Sequence, residues 1–113
     1  MKTEFNKVKI FVTVPKENLE AVRDAVCNAG AGVIGNYSYC TFSCVGEGTF
    51  IPNENANPHI GTNNNLEYVK EVKLEFICDV DKVKVVIEKL KATHPYEEPA
   101  IDIVPIIDID YFK

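Results

Sequence analysis

The sequence has no tryptophan, a single methionine and only two histidines, and its basic residues are outnumbered by acidic ones. The 12 lysines and arginines stand against 17 aspartates and glutamates, which gives a net charge of −5 at pH 7. Nucleic-acid-binding proteins need basic surfaces that displace the counterions of phosphates. No apolar run is long enough to cross a bilayer, and "MKTEFNKVKIFVTV" lacks the uninterrupted apolar core of a signal peptide. We therefore expect a cytoplasmic protein without nucleic-acid or membrane partners.

Sequence motifs for metal clusters and nucleotide phosphates are missing as well. The chain has no C-x-x-C pair, no H-x-x-x-H pair and no G-x-x-x-x-G-K-[ST] loop. "GAGVIGN" follows a predicted helix instead of preceding one, so we expect a flexible connection there and not a phosphate loop. A redox or metal role for Cys40 and Cys44 is an alternative, because residues four apart on a strand face the same side. The favoured interpretation is that all four cysteines are reduced and fill small spaces in the core: Cys27, Cys40, Cys44 and Cys78.

Hydrophobic periodicity predicts four strands and two helices. Apolar residues alternate in "VKIFVTVP", "NYSYCTFSCVGEGTF", "EYVKEVKLEFICD" and "AIDIVPIIDI", and they recur at helical spacing in "KENLEAVRDAVCNAGAG" and "DKVKVVIEKLKATH". We expect Asp81 to cap the second helix, and a bulge at Gly46 and Gly48 in the second strand. The element order is β-α-β-β-α-β. Right-handed crossovers then put both helices on one face of a four-stranded antiparallel sheet, in the ferredoxin-like order 4-1-3-2, as one α+β domain over residues 1–113.

A long loop, residues 52–65, separates the second and third strands and is rich in asparagine. Loops of this length in compact domains are usually functional or disordered. Asn57 and His59 are the candidate ligand-binding residues, since amides both donate and accept hydrogen bonds and imidazole titrates near neutral pH. The alternatives are a solvated hairpin tip and a contact with a neighbouring subunit or protein partner.

"HPYEEP" connects the second helix to the last strand and supports two interpretations. In the structural one, two prolines make a rigid turn, His94 ends the helix, where a positively charged ring would suit the dipole, and Tyr96 is largely buried. In the functional one, His94, Tyr96, Glu97 and Glu98 bind a ligand. Imidazole and carboxylate suit zinc or copper, so His94, His59 and Glu98 are candidate metal ligands, completed by a partner chain where needed.

Two segments, "AGAGVIGNYSYCTFSCVGEGTFIP…NANPHIG" and "KATHPYEEPAIDIVP", resemble the insert domain of YqfO-type proteins, the Nif-three-like family. "HPYEEP" also resembles the matching turn of the CutA family. The resemblance implies a CutA/PII-like sheet and a symmetric homo-oligomer, a trimer first and a dimer second. The exposed edge of the second strand would take part, with Tyr37, Tyr39, Phe42 and Val45.

YqfO-type proteins carry a dinuclear metal centre in flanking lobes, and the chain lacks the histidine-rich segments of those lobes, so hydrolase activity is not carried over. We expect a non-enzymatic module that binds a small ligand, a divalent cation or a partner, the last through loop 52–65. The alternative is an accessory of a metal-dependent hydrolase, with a site shared between chains and built from His59, His94, Glu97 and Glu98.

Overall fold

The computed structural model describes residues 5–113 and contains the predicted strands and helices in the predicted order. Short 3-10 turns occupy Lys16–Asn18, Val80–Lys82 and Ile109–Phe112. The four strands are β1 (Lys7–Pro15), β2 (Thr41–Phe50), β3 (Glu67–Asp79) and β4 (Ile101–Ile106), and the two helices are α1 (Leu19–Asn28) and α2 (Val83–Thr93).

The four strands form one antiparallel sheet in the order β2-β3-β1-β4. This is the predicted 4-1-3-2 order, which is confirmed. β1 lies between β3 and β4, and each helix connects two strands that are not neighbours. β2 and β4 are therefore the edge strands.

The core lies between one face of the sheet and the two helices. Strict alternation along β1 sends every second side chain to this face, where it meets the matching apolar residues of β3. The apolar stripes of α1 and α2 cover that face and also contact each other. Residues of this core that are almost completely buried include Ile10, Val12, Val14, Val22, Val26, Leu74, Phe76, Cys78, Val86 and Leu90.

The second strand begins at Thr41, and the prediction that it started at Asn36 is wrong. Tyr39 has a φ of 58°, and the Cys40 amide donates to the carbonyl of Gly32 at 2.8 Å instead of joining the ladder. The chain therefore turns before the strand starts. Tyr37 and Tyr39 are exposed but precede the edge of β2, which carries Phe42 and Val45.

The later start of β2 also separates Cys40 from Cys44. Cys40 and Cys44 do not share a strand, and the Cys40 thiol lies 3.6 Å from the carbonyl oxygen of Tyr37. All four cysteines are free, but only Cys78 is buried in the core, and Cys44 is exposed. The expectation that all four thiols fill core spaces is therefore wrong for Cys44.

Two further local predictions are wrong for identifiable reasons. Asp81 does not cap α2, because a 3-10 turn precedes the helix and its N-cap position is Lys82, without a side-chain hydrogen bond. No bulge interrupts β2, whose register with β3 is continuous from Thr41 to Phe50. At Gly48 the missing Cβ instead leaves room for the carboxylate of Glu71, which would have to move if a Cβ were present.

Candidate functional site

Loop 52–65 and turn 94–99 meet at the end of the sheet where β1 ends and β4 begins. Pro15, the last residue of β1, pairs with Glu71, so residues 67–70 extend the β2–β3 hairpin beyond β1. The backbone amide of Asn57 donates to Oε1 of Glu97 at 3.3 Å, which ties the loop to the turn. The loop thus covers this end of the sheet.

Asparagines hold the loop in its own turns. The Asn55 amide donates to Oδ1 of Asn53 at 2.9 Å, a local side-chain bond of the kind that favours asparagine in turns. The side-chain amide of Asn63 reaches the carbonyl oxygens of Glu54 and Ala56 at 3.5 and 3.4 Å. Much of the asparagine content of this loop therefore has a structural role.

His94 is buried, with 6% of its surface exposed, and both ring nitrogens are hydrogen-bonded. Nδ1 accepts the backbone N–H of Tyr96 at 3.1 Å, so it carries no proton. Nε2 therefore carries the proton and donates it to the carbonyl oxygen of Thr13 at 2.8 Å. Burial lowers the pKa of His94, although the bond to Thr13 and the nearby carboxylate of Glu71 oppose this shift. The ring is neutral, and the expected cationic ring at the helix end is not found.

Tyr96 connects the turn to the sheet. Its hydroxyl donates to Oε2 of Glu71 at 2.8 Å, and its ring centroid lies 4.9 Å from that of His94 and 6.3 Å from that of His59. Burial and the hydrogen bond to Glu71 raise the pKa of Tyr96, which keeps the phenol protonated as a donor. Tyr96 is half-buried, less than predicted, whereas Glu97 and Glu98 both reach solvent.

A cavity of about 300 Å³ lies between the loop, the turn and the end of the sheet. Its floor comes from β1, β2 and β3, and its walls come from the loop and the turn. Apolar groups make up much of the lining: Phe50, Ile51, Pro52, Ala56, Pro58, Ile60 and Ala100. The polar lining residues are Thr13, Thr49, His59, Glu71, Tyr96, Glu97 and Glu98.

Four of the six predicted ligand-binding residues line this cavity: His59, Tyr96, Glu97 and Glu98. Asn57 is not part of the lining, but its backbone amide donates to Glu97, which is. His94 is not part of the lining and instead holds Tyr96 in place.

Phe50 and Glu71 also line the cavity, although neither was predicted as a site residue. Glu71 alternates with apolar residues along β3, as an ordinary outward-facing strand residue does. Its role depends on the hydrogen bond from Tyr96, which only the folded chain brings next to it.

The metal prediction has limited support in this geometry. Among residues 5–113, no group of three or more histidine, cysteine, aspartate or glutamate side chains is placed to hold a metal ion. Coordination by His94 would break one of the two hydrogen bonds of its ring. A site formed by His59, Glu98 and His94 stays a prediction.

The strand order and the position of the helices define the class of fold. An antiparallel sheet in this order, with two helices on one face, is the ferredoxin-like arrangement of CutA proteins. The structure of the periplasmic divalent cation tolerance protein CutA from Archaeoglobus fulgidus matches it with a TM-score of 0.69, covering 94% of this chain and 90% of that one. The two sequences are 19% identical, so this likeness shows the fold alone.

Sequence identity is much higher to one part of certain larger proteins than to CutA. The "GTP cyclohydrolase 1 type 2 homolog" of Halalkalibacterium halodurans is 48% identical over 98 residues, which is 87% of this chain and 26% of the relative. A Bacillus cereus protein related to NIF3 matches with a TM-score of 0.81 and 41% identity, over 95% of this chain and 27% of that one.

The chain spans about a quarter of the length of these relatives. No family model matches the sequence. The predicted resemblance to a small domain of Nif-three-like proteins is confirmed. No helix within residues 5–113 has the length and apolar character needed to span a membrane.

Proposed function

We propose that this chain is a non-enzymatic binding module whose ligand occupies the cavity between loop 52–65 and turn 94–99. The observation that carries the proposal is a chain of hydrogen bonds that fixes one wall of the cavity. His94 bonds to Thr13 and Tyr96, and Tyr96 bonds to Glu71. Because these hydrogen bonds lie within the protein, this wall needs no ligand to order it, which lowers the entropy cost of binding.

Ligand-observed NMR with a set of small amines, alcohols and carboxylates tests this proposal. Ala100 lines the cavity, and the change Ala100→Trp would fill it. Ala92 lies on the exposed surface of α2, so Ala92→Trp is the matched control. We expect binding to the parent and to the control but not to Ala100→Trp. Unchanged binding to Ala100→Trp, or no binding by the parent, contradicts the proposal.

We also propose a symmetric homo-oligomer, a trimer first and a dimer second, that uses the edge of β2. This edge has unpaired backbone groups and carries Phe42 and Val45, which are 64% and 74% exposed. A charge on the edge should oppose pairing, so Val45→Lys should lower the mass measured by light scattering. Val85→Lys, on the exposed surface of α2, is the control that should not. A parent mass near the 12.6 kDa of one chain at micromolar concentration contradicts assembly.

A divalent cation is a second candidate ligand, and His59 and Glu98 in the lining favour it. Calorimetric titration with zinc and with copper should then detect binding that His59→Ala removes. Because His94 already makes two hydrogen bonds, its role as a ligand is tested separately with His94→Ala. Equal binding by the parent and His94→Ala would assign the metal to His59 and the carboxylates.

An accessory role in a metal-dependent hydrolase is the alternative function, in which the site would be shared between chains. The relatives' name, a cyclohydrolase homolog, favours it. Metal analysis of protein purified without a histidine tag tests this role. Stoichiometric bound metal would support it, and metal-free protein that still binds organic probes would favour the binding module.

A further inference from the structure

We infer that the ligand of the cavity is an organic cation, a primary amine on a short aliphatic chain. This inference rests on the proposed binding function. Three carboxylates line the cavity, those of Glu71, Glu97 and Glu98, and no lysine or arginine is among the lining residues. Within the part of the chain that the structure describes, no salt bridge involves any of the three. A cleft lined by charges of one sign concentrates ligands of the opposite sign.

The carboxylates keep acceptor capacity for a ligand. Glu71 accepts one hydrogen bond from the Tyr96 hydroxyl through Oε2, and Glu97 accepts one from the Asn57 amide through Oε1. A carboxylate offers about four lone-pair sites. An ammonium group has three N–H donors and no acceptor, so it matches a cavity that presents several acceptor-only groups. Charge-assisted hydrogen bonds of this kind are the stronger ones in proteins.

The rest of the lining distinguishes an organic cation from a bare ion. Phe50, Pro52 and Pro58 provide apolar surface, which favours a ligand with methylene groups to bury. A metal ion gains nothing from such surface. The ring of Tyr96, held by its bond to Glu71, adds an aromatic face that attracts cations.

The volume limits the size of the ligand. The cavity of about 300 Å³ lies at the lower end of the size range of small-molecule sites. It therefore suits a chain of a few carbons with one charged head.

Three probes of equal length separate charge from shape: hexylamine, hexanol and hexanoate. Each is titrated into the full chain at neutral pH and low ionic strength, with binding followed through the aromatic resonances of Phe50 and Tyr96. We expect hexylamine to bind at least about tenfold more tightly than hexanol, and hexanoate to bind most weakly. The double change Glu97→Gln and Glu98→Gln should remove most of this preference. Glu88→Gln, on the exposed surface of α2, should leave it unchanged.

The outcomes separate this inference from the function on which it rests. If hexanol or hexanoate binds as tightly as hexylamine, the inferred cation is wrong and the binding cavity stands. If hexylamine keeps its preference in the Glu97→Gln, Glu98→Gln variant, the carboxylates of the turn are not its partners and the inference fails. If no probe binds at millimolar concentration, both the inference and the proposed function are wrong.

Discussion

His94 should stabilise the protein through its two hydrogen bonds, and truncating it tests this directly. His94→Ala leaves the carbonyl of Thr13 and the amide of Tyr96 without partners beside the core. An unsatisfied buried polar group costs about 1–3 kcal/mol. Thr13 and Tyr96 are half-buried, so water can reach both groups in the variant and the cost per group falls at the lower end. With the lost ring packing included, we expect the free energy of unfolding to fall by about 2–3 kcal/mol.

Two matched variants separate the hydrogen bonds from general effects of substitution. An asparagine side chain can accept the Tyr96 N–H through Oδ1 but is too short to reach Thr13. His94→Asn should therefore lower the free energy of unfolding by about half as much as His94→Ala. His59→Ala, in the exposed loop, should change the free energy of unfolding by less than about 0.5 kcal/mol. Urea denaturation at fixed protein concentration, followed by far-ultraviolet circular dichroism, suits a chain without tryptophan.

The same ring makes stability depend on pH with a definite sign. Burial lowers the pKa of His94 in the folded protein below the value of about 6.5 for a free imidazole, so the unfolded chain binds the proton more readily. The neutral His94 ring therefore stabilises the folded protein fully above a pH of about 6.5, and this stabilisation is lost as the pH falls through the pKa of His94 in the folded protein. A proton on Nδ1 would also face the Tyr96 N–H. The difference in stability between the parent and His94→Asn should therefore shrink in acid.

Two results would refute this reasoning. One is a His94→Ala variant within about 0.5 kcal/mol of the parent at pH 7, the range of ordinary surface substitutions. The other is a stability difference that grows as the pH falls below 6, because this would mean that the folded protein prefers the charged ring.

Other predictions concern the glycines of β2 and the thiols. Gly48→Ala should displace the Glu71 carboxylate and break its hydrogen bond to Tyr96, which should lower the free energy of unfolding by about 1–2 kcal/mol. Gly46→Ala is the control, because its Cβ would meet no other atom, and it should not destabilise the protein. Equal effects of the two changes in urea denaturation would contradict this prediction. Thiol titration without reductant should find four free thiols after denaturation. In the native protein the exposed Cys44 should react quickly, and Cys78, whose pKa burial raises to about 11, should react slowly. A disulfide between any two cysteines would show the thiol assignment to be wrong.

The fold was predictable because its signals are local. Alternation along β1 and helical spacing in α1 and α2 are visible within one segment each, and chain-order rules then limit how such segments pack. Two of the errors arose at element boundaries, where a distant group decides. The start of β2 depends on the bond between the Cys40 amide and Gly32, and the start of α2 follows from a 3-10 turn whose first amide, that of Val80, bonds to Asn6.

The site was predictable only in part, because local sequence indicates a rigid turn but not what the turn contacts. Pro95 and Pro99 limit the backbone of "HPYEEP" by themselves, and the sequence alone therefore determined a stiff connection that carries an imidazole, a phenol and two carboxylates. Only the tertiary structure decided that His94 bonds to Thr13, which is 81 residues away, and that Tyr96 bonds to Glu71 on β3. Hydrogen bonds act over about 3 Å in space, whatever the separation along the chain, so these partners have no local signature.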